Sequence, residues 1–468
     1  MTSPPNILFI FADQHRHDVM GCAGHELVAT PSIDKLAGRG LRFSDAWCQS
    51  PICQPSRASV ITGRYAHELG VIHNTGGFDP EWPTVMKQLQ GAGYETATIG
   101  KTHYHESYQP PEDDGEIDMR SYNPFVQSFG WDYVLEEYDK YLHVEDRLAT
   151  PYTDYLAQHN LLGAYRDQIR GVFRLTDSHW RGETSVLPQA HDLTSFLAAE
   201  ANEWLRRRNS NKPFFLKLAF VQPHVPLIDD PDWADYYADA QIDLPDQTPA
   251  EAVNETWAGY LERLDDHSQA QVMDEDFVRN GIRHYLGMVS LVDQKVGEVL
   301  ATLEALGQLD NTWIIYTGDH GEMLGEHRLW AKMNFYRGSV QVPLIMVPPG
   351  GMAPRVDHSL VELTDVTATL AEIGGTEAPS GCHGLSLLPA IDGSLAGRNL
   401  LHSRIGNYAA IRTPTHRFTA HLKSETACEL FDLENDPDER TNLVNDSGAT
   451  MLVSDLQATL LDHESATG

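Results

Sequence analysis

The sequence predicts an α/β fold, a mostly parallel sheet sandwiched by helices, with a small C-terminal α+β subdomain. Three observations carry this reading. Continuously apolar runs of strand length recur at NILFIFA, PFFLKLAF and TWIIYT, and unbroken apolarity is what a strand buried on both faces requires. Between them stand segments with helical apolar spacing, so the order is βαβα, which calls for a parallel sheet covered by helices. From about Leu400 the style changes to alternating, turn-rich segments, as in an antiparallel hairpin. We therefore expect an α/β domain over residues 1–395 and a C-terminal subdomain over 396–468.

The elements follow in order. Asn6 to Ala12 reads as a buried strand ending at Asp13. Pro31 to Gly38 reads as a helix, and GLRFSDAWC as the next strand. PTVMKQLQGAGYETATIGK gives helix, glycine turn and strand, ending at Lys101. Residues 110–190, rich in Asp, Tyr, Pro and Gly, read as an insertion of loops and short helices, suited to selecting a substrate. HDLTSFLAAEANEWLRRR has helical spacing at Leu193, Phe196, Leu197 and Trp204. PFFLKLAFVQPHVP is a strand leading to His224. A long helix from about Ile282 to Leu306 feeds TWIIYTGDHG, a strand that stops at Asp319. A hairpin and a last helix over about Thr450 to Leu461 complete the chain.

The 468 residues carry 34 basic and 67 acidic side chains, a formal charge of −33. Such a surface repels nucleic acid and anionic membranes. An anionic substrate would need a local cationic cluster or a metal to overcome that field. The five cysteines, at 22, 48, 53, 382 and 428, are odd in number and irregularly spaced, which argues against a disulfide framework, and no CxxC pair marks a zinc site. All but Cys53 are expected to be buried thiols. The opening MTSPPNILFIFADQ lacks a basic leader, and ILFIFA is too short to span a bilayer. The expected location is the cytoplasm.

Polar residues gather at strand ends. Asp13-Gln14, Lys101 and His103, His224, and Asp319-His320 each follow an apolar run, and in open parallel sheets the ligand crevice lies at the carboxyl ends of the strands. Asp13, Gln14, Asp319 and His320 offer hard oxygen donors and one nitrogen, a set suited to Ca²⁺, Mg²⁺ or Mn²⁺. Lys101 and His103 alternate along a strand end and so project to one side. With His224, Lys332 and Arg57 they make a cationic ring about the metal, as an anionic group requires. Cys53 opens the stretch CQPSRASVITGR, where Pro55 marks a helix start. A thiol at that positive helix end would be acidified and reactive, yet a thiolate is a poor companion for an oxygen-ligated cation. The mismatch points to a modified residue.

CQPSRASVITGR resembles the sulfatase signature at every defining position, and the likeness continues through NILFIFADQ, GKTHYH, VQPHVP, TGDHGEMLGEH with its following lysine block, and ELFDLENDPDERTNL. The resemblance implies an alkaline-phosphatase-like fold and hydrolysis of small-molecule sulfate esters. It implies that Cys53 is converted to Cα-formylglycine by a formylglycine-generating enzyme, and that one divalent ion is held by Asp13, Gln14, residue 53, Asp319 and His320. Arg57 and Lys101 would hold the side chain at position 53. His224 with Lys332 would serve the leaving oxygen, His103 would take a proton in regeneration, and Asn74 would contact the transferred group. Many sulfatases carry Asp-Asp and Asp-Asn where this chain has Asp13-Gln14 and Asp319-His320. The same variants occur in choline-sulfatase-like enzymes and in phosphonate monoester hydrolases, so the metal stays open between Ca²⁺ and Mn²⁺. Phosphonate monoesters or phosphodiesters are the alternative substrates; Lys101-x-His103 leans towards sulfate. A non-catalytic binder of sulfated ligands and a phosphomutase or phosphatase are further readings, which the intact motifs and Cys53 disfavour. His15, His17, His67, His73, His105 and His327 are expected at the surface or a pocket rim. Homo-oligomerisation is left open.

Overall fold

In the computed structural model, the described residues are 4–105, 115–174, 179–208, 211–268 and 273–467. Eight strands form the central sheet: β1 (Asn6–Ala12), β2 (Leu41–Trp47), β3 (Glu95–Gly100), β4 (Tyr133–Glu136), β5 (Phe214–Phe220), β6 (Thr312–Gly318), β7 (Gln341–Val347) and β8 (Arg355–Glu362). Their order across the sheet is β8-β2-β7-β6-β1-β5-β3-β4. Only β7 runs antiparallel to its neighbours, β6 and β2; the other pairs are parallel. The sheet is thus mixed but mostly parallel.

Alternation along each strand divides the core into two layers. From β1, Ile7, Phe9 and Phe11 enter one layer with Phe215 and Ile315, beneath the helices Cys53–Thr62, Val85–Gly91 and Leu363–Ile373. Leu8, Ile10 and Ala12 enter the other with Leu216, Leu218 and Tyr316, beneath Leu193–Arg207 and Glu275–Ala305. Burial on both faces explains why these strands read as unbroken apolar runs.

Register sets the position of the site. Ala12 lies opposite both Gly318 and Phe220, and Gly100 lies opposite Ala219. Four strands therefore end at nearly one level, and Asp13, Lys101, Val221 and Asp319 begin the loops above that edge.

The strands β7 and β8 were not read from the sequence, and three further elements differ from its expectation. The span 110–190 contains a true sheet strand, β4, parallel to β3 at the edge; four residues among Tyr- and Asp-rich segments give too short a period to read. Part of that span, 110–114 and 175–178, lies outside the described residues. The long helix begins at Glu275, where Asp274 caps the Phe277 amide at 2.8 Å, because Phe277 and Val278 extend its apolar stripe under Trp330. The C-terminal part is a four-stranded antiparallel sheet, Leu401–Ile405, Tyr408–Arg412, His416–His421 and Thr426–Asp432, rather than a hairpin alone. The helix Thr450–Thr467 covers it with Leu456 and Leu460 against Ile411, Phe418 and Leu430. Among the described residues no helix is long and apolar enough to cross a membrane.

Where this last helix returns to the main body, His463 meets His402 at 4.6 Å between rings, and His402 Nε2 bonds Glu464 at 2.7 Å. Tyr65 packs edge-on against both His402 and His463. Burial pushes His67 and His463 from 6.5 down to about 4. Both stay neutral in the fold while the unfolded chain protonates them near 6.5, so stability is full above that pH and declines as pH falls towards 4. A thermal-melt series should show the midpoint falling through this window, with a shallower fall in the His67→Gln/His463→Gln double variant.

Candidate active site

The centre of the site is a buried guanidinium. Arg57 Nε donates to Asp319 Oδ2 at 2.8 Å and Nη2 donates to Asp13 Oδ2 at 3.0 Å, and all three side chains are 0% exposed. Arg57 can reach both because Asp13 and Asp319 leave adjacent strands at the same level while the helix Cys53–Thr62 runs alongside them. The Arg57 guanidinium also donates to the Lys101 carbonyl and lies 5.0 Å over the Phe11 ring. Burial raises the Asp13 carboxyl, but Lys101, His224, Arg57 and Lys332 outweigh it and hold the group well below its ordinary pKa.

Cys53 is the first residue of its helix, 1% exposed. Its Sγ lies 3.2 Å from His320 Nε2, 3.4 Å from Lys332 Nζ, 3.8 Å from Asp13 Oδ1 and 3.9 Å from Lys101 Nζ. Ser56 Oγ donates to the Asp319 carbonyl at 2.6 Å, which ties the helix start to the strand end. The helix closes at Gly63, whose φ of +73° is left-handed, and a Cβ there would lie 2.2 Å from Cys382 Sγ. Asn74 is half-buried; its Oδ1 accepts from the Gln54 amide at 2.9 Å. It therefore meets the site by capping the helix on which Cys53 sits.

The donor set suits a hard divalent ion. Oxygen or nitrogen atoms of Asp13, Asp319 and His320 lie with the Cys53 sulfur within 4.8 Å of one another, all buried. His320 Nδ1 donates to the Gly321 carbonyl at 3.0 Å, which leaves the Nε2 lone pair facing Cys53. Burial pushes His320 down to about 4, so the ring is neutral and able to ligate at neutral pH. Gln14 Nε2 donates to Glu322, and its Oε1 accepts from Lys332 Nζ at 2.6 Å. The amide oxygen is thereby turned to the Lys332 and Cys53 side. Glu322 was not anticipated from the sequence, although it lies in the same block as Asp319; it also accepts from the Leu324 and Ala331 amides.

Lys101 joins the group for a reason other than strand alternation. β3 ends at Gly100, and Lys101 to His103 form a turn in which His103 is left-handed, φ 61°. Lys101 Nζ lies 2.6 Å from both Asp13 Oδ2 and Asp139 Oδ1. His103 is buried, and burial followed by the Lys101 charge lowers its pKa well below 6.5. Asp139 was missed in the sequence. It lies three residues beyond the short strand β4, and a strand of four residues is too short to give a readable period. Lys217, in mid-β5, is a second surprise: buried, 5.0 Å over the Phe11 ring, and pushed down to about 7 by burial and then by Arg57.

His224 donates from Nδ1 to the Val225 carbonyl at 2.8 Å, so Nε2 is the atom left for other partners, and Nδ1 stands 3.7 Å from Asp139 Oδ1. Lys332 sits between two left-handed residues, Ala331 (φ 65°) and Met333 (φ 72°). That strained turn is pinned by the Met333 amide on the Pro51 carbonyl at 3.0 Å and by Ala331 on Glu322. Of the other histidines, His15, His17, His105 and His327 are buried rather than superficial. His15 Nδ1 meets Tyr316 Oη at 2.6 Å and His327 stacks on Tyr336 at 4.0 Å, so both are parts of the core. All five cysteines are free; Cys22 and Cys382 are half-buried rather than buried.

Arg57→Met should show what this pairing is worth. Removing the guanidinium leaves two buried carboxylates short of a partner, and an uncompensated buried charge costs about 3–5 kcal/mol. Urea denaturation of the metal-free variant should show a loss of that order.

Comparison with known proteins agrees with this geometry. The sulfatase family model matches residues 5–376, and the model described as "N-sulphoglucosamine sulphohydrolase, C-terminal" matches 325–466. The chain is 32% identical over 463 residues to a choline-sulfatase of Rhizobium meliloti, covering 94% of this chain and 83% of that one. It is 28% identical over 465 residues to an arylsulfatase of Clostridium perfringens, covering 94% and 90%. A phosphonate monoester hydrolase of Agrobacterium radiobacter shares the fold with a TM-score of 0.79 at 23% identity, over 99% of this chain and 96% of that one. That likeness bears out the alkaline-phosphatase-like architecture. The chain belongs to the sulfatase family and is a sulfuric ester hydrolase.

Proposed function

We propose that this protein hydrolyses small-molecule sulfate monoesters at the pocket around residue 53, with Cys53 oxidised to formylglycine and one divalent ion beside it. The observation that carries the reading is the set of contacts made by Cys53. A helix-start residue, 1% exposed, is faced at once by two lysines, an imidazole nitrogen and a carboxylate. No buried structural thiol needs such company. A hydrated aldehyde at residue 53 would supply an oxygen nucleophile in place of a thiol, and a divalent cation held here would supply Lewis acidity to the ester oxygens and to that nucleophile.

The chain's own groups divide the remaining work. Asp13, Gln14, Asp319 and His320 would hold the ion. Arg57 keeps the two carboxylates in place and fixes their outer oxygens. Lys101 and Lys332 place positive charge on either side of residue 53 and favour charge that develops there. His224 presents Nε2 for proton transfer to the leaving oxygen, its Nδ1 being engaged by the Val225 carbonyl. His103, buried beside Lys101 and depressed in pKa, is neutral and able to take a proton. Ca²⁺ is the first choice of ion and Mn²⁺ the second. Phosphonate monoesters and phosphodiesters are the second reading, favoured by Gln14 and His320 in the ligand set; Lys101 and His103 at one turn favour sulfate.

Three results are expected. From cells with a formylglycine-generating enzyme, the peptide containing Cys53 should be lighter than the unmodified form and should be trapped by a hydrazide. Cys53→Ala should lower kcat for an aryl sulfate by at least about 10⁴-fold, the scale seen when a nucleophile is removed. After chelation, Ca²⁺ or Mn²⁺ should restore turnover, with sulfate esters hydrolysed faster than the matching phosphonates. An unmodified Cys53 with no turnover of either ester would overturn the reading.

A further inference from the structure

The site contains a third carboxylate that the proposed division of work leaves without a task. Asp139 is 2% exposed, and its Oδ1 lies 2.6 Å from Lys101 Nζ and 3.7 Å from His224 Nδ1. Ligand atoms of Asp13, Asp139 and His224 lie within 4.8 Å of one another, a spacing able to enclose a cation. Lys101 already fills that position, since its ammonium bridges Asp13 Oδ2 and Asp139 Oδ1 at 2.6 Å each. That position is therefore taken by an organic cation, held from both sides.

The segment that carries Asp139 is built around the Lys101 turn. The Glu137 amide donates to the Gly100 carbonyl at 3.3 Å, and Glu136 Oε1 accepts from the amides of Thr102 at 2.9 Å and His103 at 3.4 Å. On its other side Lys140 Nζ donates to the carbonyls of Pro226 at 3.2 Å and Ile228 at 3.3 Å, just beyond His224. Residues 136–140 thus join the turn bearing Lys101 to the loop bearing His224, with the Asp139 carboxylate between the two side chains.

We propose that Asp139 is a positioning residue of the reaction: it acts through Lys101, fixing the ammonium beside residue 53 as the second of its two carboxylate anchors. A flexible four-carbon side chain with Asp13 as its sole anchor would be free to swing about that carboxylate. Asp139, at the same 2.6 Å, supplies the second anchor that fixes the ammonium beside residue 53. Small misplacements of such charges are costly, since an error of about 1 Å can lower a rate about 10²-fold. The inference rests on the sulfate-ester reading above.

The test is a double-mutant cycle on matured, metal-loaded enzyme with an aryl sulfate. Asp139→Asn should lower kcat by about 10- to 100-fold with KM changed less than about 3-fold. Lys101→Ala should lower kcat further, and Asp139→Asn should add nothing in the Lys101→Ala background, because residues acting as one unit are non-additive. Asp139→Glu, which keeps the charge but moves it, should show the same cancellation and serves where the Asn variant does not fold. Wild-type kinetics in the Asp139 variants, or an equal loss in both backgrounds, would overturn the inference. Wild-type protein inactive on sulfate esters would instead overturn the reading it rests on.

Discussion

The structure depends on one buried ion cluster, the Arg57 guanidinium between Asp13 and Asp319. Charges removed from water are tolerated only when each finds partners of good geometry. Here each side chain is fully buried, so the cluster forms only if β1 and β6 end level and the helix beginning at Cys53 lies against them. A slip of one residue in the β1–β6 register would separate the carboxylates and reverse the faces of Phe9 and Phe11. The core and the site thus demand the same register.

The cations gathered around residue 53 bear on the electrostatic difficulty of a chain with a formal charge of −33. Long-range repulsion of an anion is countered locally, where low dielectric strengthens every interaction. Arg57, Lys101 and Lys332 converge on residue 53, and their charges are kept in place by Asp13, Asp139 and the Gln14 amide.

Positioning comes from distant parts of the chain. The Lys332 turn is anchored by Pro51 and Glu322, and beyond it the Tyr336 hydroxyl donates to Glu429 at 2.6 Å. Glu429 pairs at 2.8 Å with Arg417, which is buried. The C-terminal sheet is therefore coupled to the loop that bears Lys332 through buried polar contacts as well as apolar packing.

The sequence by itself determined β1, β5 and β6, because burial on both faces leaves an unbroken apolar run, and it marked the polar residues that follow the strand runs. Asp13, Lys101, His224 and Asp319 were legible in that way, and Cys53 through its motif. What only tertiary structure decided lies where the signal is short or non-local. β4 has four residues and no readable period, so Asp139 stayed hidden behind it. The Lys101–His103 relation is set by a left-handed turn fastened to Glu136, not by strand pleat. Glu322 and Lys332 are placed by a loop whose φ values no pattern announces. Apolar periodicity is local in the chain, whereas the pairing of buried charges joins residues hundreds of positions apart, and only the folded register brings them together.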